Sequence, residues 1–398
     1  MRLIGGNAIT LLQNGAHYFP ALSNAIDQAA FEVHLETYIF ENDSTGHKFA
    51  ETLKRAAQRG VKVHVAVDGF GSRDLPKSIV AEMRAAGVEF YFYRPEISPW
   101  VFRKHRLRRL HRKLAVIDRR LAFVGGINII DDAVYKDRDS DRFDYAVRVE
   151  GPLVEPIFYA VRRLWMILSW VSHGHRMFRK MDRIANPKAA GDIRAAFLVR
   201  DNLRHRRDIQ EAYFRAITRA RREIIVANAY FLPGIDFRHA LIAAAERGVR
   251  VILVLQGRRE YFLQHYATRT LYGNLLKAGI EIYEYQKSFL HAKVAVIDEH
   301  WATVGSSNID PFSLFLAREA NVVIDDQKFA VELKQSLELA MQQACKQVQG
   351  DALERQPLYE RFFGWLGYGL VRVFNGLIGY AEYEGRPRRK RLTNTVST

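Results

Sequence analysis

The sequence predicts an α/β protein made of two duplicated α/β/α lobes, related by pseudo-two-fold symmetry and sharing one active site. Three observations support this fold class. The chain has 398 residues, more than a single hydrophobic core usually holds. Several segments occur twice in the same order. In each copy, apolar strands alternate with helices, which is the pattern of α/β folds.

The duplication is visible in short segments that return in the second half of the chain. Two long copies are too few for a solenoid, so paired lobes are the simplest interpretation. The matching segments are 56–63 (AAQRGVKV) and 244–251 (AAERGVRV), 86–91 (AGVEFY) and 278–283 (AGIEIY), 111–118 and 291–298, and, upstream, 36–38 and 228–230.

Each copy is predicted to run strand, helix, strand, helix, strand. The first strand is apolar, and the next is rich in β-branched residues, which favour strands. An Arg-Gly pair ends the intervening helix, where glycine is a natural C-cap. The predicted strands are residues 33–39 and 61–67 in the first copy and 223–230 and 249–255 in the second, followed by strands that end at Tyr93 and Tyr285.

Four segments are expected along the chain. Residues 1–152 form the first lobe, and residues 201–350 form the second. Residues 153–200 form a helical segment between the lobes, in which apolar residues alternate with arginines as in an amphipathic helix. Residues 351–398 form a hydrophobic and basic segment suited to a membrane surface.

The clearest chemical signal is a motif that occurs once in each copy. It reads His-x-Lys-x4-Asp, with Gly-x-x-Asn seven residues beyond the aspartate. A single His-x-Lys on a strand is usually an exposed pair, but a matched second copy is not plausibly accidental. Alternate side chains of a strand share a face, so each histidine projects beside its lysine. The candidate catalytic set is His111, Lys113, Asp118, His291, Lys293 and Asp298.

These residue types suit phosphodiester chemistry. A neutral imidazole can attack phosphorus while a second, protonated imidazole gives a proton to the leaving oxygen. The lysines and asparagines would hold the non-bridging oxygens, so no metal or other cofactor is expected. Metal binding is the rival interpretation, but lysine is a poor ligand and neither histidine has clustered carboxylates. The candidate substrate-binding residues are Asn128, Asn308 and Ser306.

The paired motifs resemble the HKD motifs of the phospholipase D superfamily, and the similarity extends over nearly the whole chain. Other segments resemble bacterial cardiolipin synthases, the B type most closely. These segments are residues 35–38 (LETY), 67–72 (VDGFGS), 144–151 (DYAVRVEG) and 301–308 (WATVGSSN). The resemblance implies two phospholipase-D-like lobes whose motif edges face each other around one pocket.

The resemblance also implies roles for individual residues. His111 is the expected nucleophile and His291 the general acid, with the exchanged roles as the alternative. In the superfamily an acidic residue some way past each motif hydrogen-bonds a catalytic imidazole, and the matching residues are Asp144 and Glu319. The motif aspartates are expected to support the site rather than to react.

The reaction implied by the resemblance is that of a cardiolipin synthase. One phosphatidylglycerol gives its phosphatidyl group to a histidine, glycerol leaves, and the hydroxyl of a second phospholipid resolves the intermediate. Water at that step would make the protein a phospholipase D hydrolase. The other rivals are a metal-independent nuclease or phosphodiesterase with the same histidines, and a binding protein with an inactive site. The sequence does not indicate the acceptor preference.

Charge and composition predict an anionic partner. Sixty Lys and Arg residues against 44 Asp and Glu residues give a net charge of +16, which favours nucleic acid or an anionic membrane. Residues 94–110 mix aromatic and basic side chains that suit a bilayer surface or single-stranded nucleic acid. Residues 157–177 suit either a membrane surface or packing on the core. Residues 361–380 are apolar and precede a basic cluster at residues 386–391, which favours a membrane.

Together with the resemblance, these segments predict a peripheral protein on an anionic phospholipid membrane. The expected location is the cytoplasmic face of the bacterial inner membrane, with phosphatidylglycerol as substrate and no nucleic acid as partner. No run of about 18 uncharged apolar residues predicts a spanning helix. A single cysteine, Cys345, excludes an internal disulfide framework. The oligomeric state is not indicated.

Overall fold

The fold is taken from a computed structural model that describes most of the chain. The described residues are 1–95, 108–131, 142–173, 187–201, 205–259, 262–310 and 317–350, together with Gly369. The predictions for residues 361–380 and 386–391 therefore lie outside the described residues, apart from Gly369. Parts of two other predicted segments, residues 96–107 and 174–177, also lie outside them.

Strands and helices alternate along both halves of the chain. The described strands are β1 (Ile4–Gln13), β2 (Glu32–Thr37), β3 (Lys62–Asp68), β4 (Glu89–Tyr93), β5 (Arg109–Leu110), β6 (Lys113–Ile117), β7 (Leu121–Gly125), β8 (Tyr145–Glu150), β9 (Ile193–Arg200), β10 (Glu223–Asn228), β11 (Arg250–Gln256), β12 (Glu281–Tyr285), β13 (Lys293–Ile297), β14 (Trp301–Gly305), β15 (Ala317–Asp325) and β16 (Cys345–Gln347). The described helices are α1 (Asn14–Asp27), α2 (Ser44–Gln58), α3 (Lys77–Ala85), α4 (Val154–His173), α5 (Asp208–Arg219), α6 (Ile235–Glu246), α7 (Phe262–Arg269), α8 (Tyr272–Lys277) and α9 (Gln327–Ala344). The predicted strands agree with these bounds to within about two residues.

One continuous sheet joins the two halves of the chain. Its strand order is β16-β12-β11-β10-β13-β14-β15-β9-β1-β8-β7-β6-β2-β3-β4, and β5 pairs with β15 beside this path. The order repeats outward from the central antiparallel pair of β1 and β9, because β2, β3 and β4 occupy the places of β10, β11 and β12. This arrangement confirms the predicted α/β fold with two duplicated lobes.

Strand direction brings one edge of each half-sheet to the motif. In the first lobe β2, β3 and β4 are parallel, and β6 runs antiparallel beside β2. The second lobe repeats this with β10, β11, β12 and β13. The carboxyl ends of the parallel strands therefore lie at the same edge as the start of β6 or β13. Ligands of open α/β sheets bind outside this edge.

The upstream match of residues 36–38 to residues 228–230 is wrong by one position. The pairing of β2 with β6 and of β10 with β13 aligns Tyr38 with Ala229, whereas the sequence match aligns it with Tyr230. A three-residue match is too short to fix a register. The register is set by strand pairing, because a slip of one residue would turn every side chain to the other face.

Helices cover both faces of the sheet. In the first lobe α1, α2 and α3 enclose one core, and α5 to α8 enclose the equivalent core in the second. On the other face, α4 and α9 pack in a core that contains residues of both lobes, among them Tyr145, Val154, Val294 and Leu333. The lobes therefore share their central core.

The predicted amphipathic helix between the lobes is α4. Its inner face buries Ile157, Val161 and Leu164 and packs on β2, β6 and β7. Its outer face leaves Ile167 42% exposed and Trp170 63% exposed. The helix therefore packs on the core with one face and presents an apolar surface with the other.

Strand β9 begins inside the range predicted to lie between the lobes. It pairs with β1 across the symmetry axis and with β15 of the second lobe. It therefore stands where β1 stands in the first lobe. We propose that the second lobe begins with β9 rather than at residue 201.

The motif aspartates stand at the turns after β6 and β13, at the opposite ends of these strands from the histidines. The carboxylate of Asp118 accepts hydrogen bonds from the backbone N–H groups of residues 30–32 at 2.7 to 2.8 Å. Asp298 accepts from residues 221–223 at 2.8 to 3.0 Å. This corrects their place in the candidate catalytic set: both anchor the start of a neighbouring strand, which is the supporting role implied by the resemblance.

Replacing Asp118 with alanine should lower the stability of the protein. The change removes the acceptor of three hydrogen bonds at a residue whose φ is 49°. A hydrogen bond to a charged group contributes about 1.5 to 3 kcal/mol, so the melting temperature should fall by more than about 3 °C. The control is Asp74→Ala, at a side chain that is 73% exposed. Equal melting temperatures for the two variants would contradict the anchoring role.

Candidate active site

Short backbone pairings carry each motif histidine to the seam between the lobes. β5 lies directly before His111 and pairs in parallel with β15 of the second lobe. The N–H of His111 donates to the carbonyl of Arg318 at 3.0 Å, and in the symmetric place the N–H of His291 donates to the carbonyl of Phe143 at 2.8 Å. Both histidines are therefore fixed by the backbone of the opposite lobe.

Each histidine also contacts a carboxylate from the opposite lobe. Nδ1 of His111 lies 3.0 Å from Oε1 of Glu319, and Nδ1 of His291 lies 2.5 Å from Oδ2 of Asp144. These are the two acidic residues predicted to orient the imidazoles, and the pairs are crossed between lobes. A carboxylate at Nδ1 favours the tautomer with its proton there, which leaves the lone pair of Nε2 for a reacting atom.

The motif lysines are buried beside the histidines. Nζ of Lys113 donates to the carbonyl of His111 at 2.8 Å, and Nζ of Lys293 donates to the carbonyl of His291. Nζ of Lys293 also lies 3.7 Å from Oδ2 of Asp144. Lys113 is 2% exposed and Lys293 is fully buried. An anion that enters this site would therefore meet two amines in surroundings that screen charge poorly.

Burial controls the protonation of both histidines. It lowers the pKa of His111, which the carboxylate of Glu319 raises and the charge of Lys113 lowers further. Burial, followed by the charges of Lys293 and Arg142, holds the pKa of His291 well below its ordinary value. Both imidazoles are therefore neutral near pH 7 in the free protein.

Burial also shifts the groups that surround the histidines. It lowers the pKa of Lys113 to about 7 although the carboxylate of Glu319 opposes the shift. It raises the pKa of Asp144 to about 6 although the charge of Lys293 opposes the shift. A bound anion would restore the charge of the lysine, because an opposite charge nearby favours the charged form.

The two predicted asparagines lie close to this cluster. Oδ1 of Asn128 accepts a hydrogen bond from the N–H of Ile39 at 3.1 Å, and the residue lines a pocket together with His291 and Asp144. Oδ1 of Asn308 is buried and has no hydrogen-bond partner among the residues that the structure describes. Asn308 therefore retains an acceptor for a bound donor.

Ser306, predicted to bind substrate, makes its hydrogen bonds within the protein. Its hydroxyl donates to Oε2 of Glu319 at 2.5 Å and accepts from the N–H of Ala320 at 3.0 Å. At the equivalent position stands Gly126, where a Cβ would lie 2.4 Å from Oδ1 of Asp144. Gly126 thus leaves room for the carboxylate of Asp144, whereas in the other lobe the hydroxyl of Ser306 holds the carboxylate of Glu319.

Sequence analysis misses two residues of the site. The ring of Tyr38 lies 4.9 Å from that of His111 and 5.4 Å from Nζ of Lys113. Arg142 lines the pocket that contains His291. Neither has a counterpart of the same type in the other copy, so the internal repeat carries no signal for them.

The cluster can bind and transfer an anionic group. Two neutral imidazoles with free Nε2 lone pairs and two buried amines suit the displacement of one oxygen of a phosphodiester by another. Within the described ranges, no group of three or more His, Cys, Asp or Glu side chains is placed to hold a metal ion.

Comparison with known proteins identifies relatives along nearly the whole chain. A family model described as cardiolipin synthase, PLD-like domain, matches residues 22–153 and 213–340, one match in each lobe. Cardiolipin synthase B of Escherichia coli strain K12 is 41% identical over 376 residues, which cover 94% of this chain and 90% of the relative. Minor cardiolipin synthase ClsB of Bacillus subtilis is 30% identical over 363 residues, which cover 91% and 88%.

A solved structure has the same fold at low sequence identity. Phosphatidylserine synthase from Haemophilus influenzae matches with a TM-score of 0.65 and 13% identity, covering 92% of this chain and 93% of that one. At this identity the likeness concerns the fold alone. The family is established by the doubled domain match and by the identity to curated relatives: this chain belongs to the cardiolipin synthase family of proteins with a phospholipase-D-like domain.

Proposed function

We propose that this protein is a cardiolipin synthase, a phosphatidyltransferase that joins phosphatidylglycerol to a second phospholipid and releases glycerol. The observation that carries the proposal is the pair of histidines, His291 buried and His111 partly buried, each bound through Nδ1 to a carboxylate of the opposite lobe. Such a pair can act on one phosphorus from two sides, which a two-step transfer through a covalent intermediate requires.

In the first step Nε2 of His111 attacks the phosphorus of a phosphatidylglycerol. The bond between phosphorus and the glycerol oxygen breaks, and His291 gives its proton to that oxygen, so that free glycerol leaves. The product is a phosphatidyl-histidine. His291 must carry a proton at this stage, and the negative charge of the bound phosphodiester favours that state by opposing the effect of burial.

In the second step the hydroxyl of another phospholipid attacks the same phosphorus. Its proton passes to His291, the bond from phosphorus to Nε2 of His111 breaks, and His111 returns to its neutral form. Phosphatidylglycerol as the second lipid gives cardiolipin. Water in its place would give phosphatidic acid, the product of a phospholipase D.

The surrounding groups support both steps. Lys113, Lys293 and the amides of Asn128 and Asn308 are assigned to the non-bridging oxygens, where negative charge gathers in the transition state. The carboxylates of the opposite lobes hold each imidazole in one tautomer and stabilise the imidazolium when it forms. Ser306 acts through the carboxylate that it binds, as a positioning residue.

The exchanged roles of the histidines have support of their own. The pKa of His291 is held well below its ordinary value by burial, and the nearby lysines and Arg142 lower it further. Burial also lowers the pKa of His111, but Glu319 opposes that shift. The imidazole with the more strongly lowered pKa is neutral over the wider pH range, as the attacking group must be. We keep His111 as nucleophile on the resemblance, and covalent labelling distinguishes the two assignments.

We propose that the protein acts at the surface of an anionic membrane, on the cytoplasmic face of the inner membrane. The outer face of α4 supports this, because large apolar side chains recur there with helical spacing. The exposed residues of this face are Tyr159, Met166, Ile167, Trp170 and Val171. The net charge of +16 would add attraction to anionic lipid.

The inner face of α4 connects this surface to the site. Leu164 and Leu168 pack with Tyr93 and with Leu110, the residue that precedes His111. A helix lying on the bilayer would therefore hold the catalytic edge close to the lipid headgroups. None of the described helices is both long enough and apolar enough to cross a bilayer.

The purified protein should convert phosphatidylglycerol vesicles into cardiolipin and free glycerol in the presence of EDTA. His111→Ala should lower the rate by at least about 10³-fold, because it removes a group that contacts phosphorus. The matched control is His300→Ala, at a side chain that is 62% exposed, and it should retain the wild-type rate. Cleavage of DNA without lipid turnover would contradict the proposal and favour a nuclease.

Labelling tests the covalent step separately. Phosphatidylglycerol labelled in its phosphatidyl group should leave acid-labile label on the wild type and on a His291→Ala variant, since a phosphorus–nitrogen bond is hydrolysed in acid. No label should remain on His111→Ala. Label that persists on His111→Ala and is absent from His291→Ala would establish the exchanged roles.

As the pH rises, kcat/KM should decline in two stages: first below neutrality, where His291 of the free protein loses the proton that the first step requires, and again near pH 7. Burial lowers the pKa of Lys113 to about 7, so its positive charge is present below that pH and is lost as the pH rises through it. On the acid side, the lowered pKa of His111 keeps the nucleophile neutral below its ordinary pKa. Rates measured from about pH 5 to about pH 9 test both limbs. A Lys113→Arg variant should lose the stage near pH 7 and keep the earlier one, since guanidinium stays charged; an unchanged stage near pH 7 would contradict the assignment.

The double variant Ile167→Asp/Trp170→Asp should bind anionic vesicles at least about tenfold more weakly in a sedimentation assay, because it places two charges on the proposed membrane face. The control is Leu339→Asp, at a residue of another helix, α9, that is 52% exposed. Equal vesicle binding by the two variants would rule out α4 as a membrane contact.

A further inference from the structure

A second group of charged side chains lies beside the site and is not used by the proposed mechanism. Tyr93 ends β4, and two guanidinium carbons lie against its ring: that of Arg94 is 5.3 Å and that of Arg318 is 5.8 Å from the ring centroid. Nε of Arg318 donates to the hydroxyl of Tyr93 at 3.3 Å. Nη1 of Arg109 donates to the carbonyl of Arg94 at 3.4 Å. These three arginines are called the arginine cluster below.

Of the nearby carboxylates, Asp68 pairs with Arg109 of the cluster, with Oδ1 3.8 Å from Nη1. Asp68 accepts hydrogen bonds from the N–H groups of Leu110, Phe70 and Gly71 at 2.7 to 3.1 Å. Glu36 forms a buried pair with Arg112 at 2.7 Å. The positive charge of the cluster is therefore compensated only in part by these carboxylates.

Arg94 and Arg318 have an excess of positive charge around them. Within the described part of the chain, neither forms an ion pair with a carboxylate, and Nη1 of Arg94 is buried without a hydrogen-bond partner. Burial lowers the pKa of Arg94, and the charges of Arg108, Arg318 and Arg109 lower it further. Arginines held this close together are stabilised when an anion lies between them.

The backbone of Arg94 is also unusual. Its φ of 51° lies in the left-handed region, which residues other than glycine rarely adopt because the Cβ atom is crowded there. Such conformations concentrate at binding sites. Here the conformation occurs at the residue whose guanidinium lacks a partner.

The cluster lies one residue away from the reacting group. Arg318 and Glu319 are neighbours in an extended strand, so their side chains leave opposite faces. Glu319 contacts the imidazole of His111, and the carbonyl of Arg318 accepts the N–H of His111. An anion on the arginine cluster would therefore sit beside the reaction centre without occupying it.

The duplication supplies a comparison within the same chain. The pairing of β5 with β15 and the bridge between Phe143 and Leu290 make Phe143, in the first lobe, the symmetry equivalent of Arg318, in the second. There Phe143 stacks on Tyr285, with ring centroids 5.1 Å apart and an angle of 20° between the planes. At this symmetry-equivalent position the fold has an apolar aromatic pair in place of the tyrosine and arginines. The same backbone arrangement therefore forms without these arginines.

We propose that the arginine cluster binds the phosphodiester of the acceptor phospholipid. The inference rests on the proposed function: when a phosphatidylglycerol hydroxyl attacks the phosphatidyl-histidine, the acceptor carries a second phosphate one glycerol unit away from the reacting phosphorus. That phosphate is an anion, and the motif lysines are engaged with the first. A guanidinium group can bind two oxygens of one phosphate at the same time. Such binding would also fix the distance between the acceptor phosphate and the reacting phosphorus.

The ratio of the products formed from two competing acceptors measures acceptor recognition by the arginine cluster. Wild-type protein is given labelled phosphatidylglycerol vesicles with a fixed concentration of ethanol, and the ratio of cardiolipin to phosphatidylethanol is determined. Both products arise from the same intermediate, so the ratio reports acceptor recognition and is independent of the donor step. Arg94→Gln and Arg318→Gln should each lower the ratio by about tenfold, because ethanol carries no phosphate for the cluster to bind.

The matched control is Arg215→Gln on α5. Arg215 is an exposed arginine paired with Glu211 at 3.3 Å, and its loss should leave the ratio unchanged. Lysine at position 94 or 318 keeps the charge without the planar fork, and Arg94→Lys and Arg318→Lys should give intermediate ratios. Wild-type ratios in both glutamine variants would overturn the inference.

A measurement on the unaltered protein guards against variants that fail to fold. Inorganic phosphate should lower the ratio by competing with the acceptor phosphodiester for the cluster. A ratio that stays constant would also overturn the inference, whether phosphate inhibits both products equally or inhibits neither. Phosphatidylethanol without any cardiolipin from the wild type would instead refute the proposed function.

Discussion

The candidate site depends on two imidazole–carboxylate contacts that cross between the lobes. His111 meets Glu319 and His291 meets Asp144, so each half of the chain supplies the group that orients the histidine of the other. Neither lobe has a complete site by itself. This requirement accounts for the continuous sheet through β1 and β9 and for the central core that both lobes share, because the contacts demand a rigid seam.

Burial at the seam between the lobes also disfavours charged groups. Lys113 and Lys293 are buried, and burial lowers the pKa of both histidines and of Lys113. The free site therefore holds neutral imidazoles beside amines whose charge is only partly compensated. A phosphodiester would relieve this imbalance, since one anion stabilises every positive group around it. Substrate binding and proton placement are thereby coupled through the same few residues.

Duplication gives the reaction centre its symmetry, and the surroundings depart from it. Tyr38 lies beside His111, and strand register aligns it with Ala229 in the second lobe. The arginine cluster around Tyr93 has an aromatic pair, Phe143 and Tyr285, at its symmetry-equivalent position. This combination suits a transfer between two phospholipids. The same kind of group can act on the reacting phosphorus from either side, whereas the donor and the acceptor lipid must be bound differently.

The sequence by itself determined the α/β class, the two lobes, the strands to within a few residues and the pair of motif histidines proposed to react, because these follow from periodicity and from a motif repeated at fixed spacing. Only the tertiary structure decided that the acidic partners are exchanged between lobes, that the motif aspartates anchor turns, and that Tyr38 aligns with Ala229. Arg94 and Arg318 likewise come together only through folding. Such contacts join residues far apart in the chain, and strand pairing, burial and side-chain direction leave no mark in local sequence.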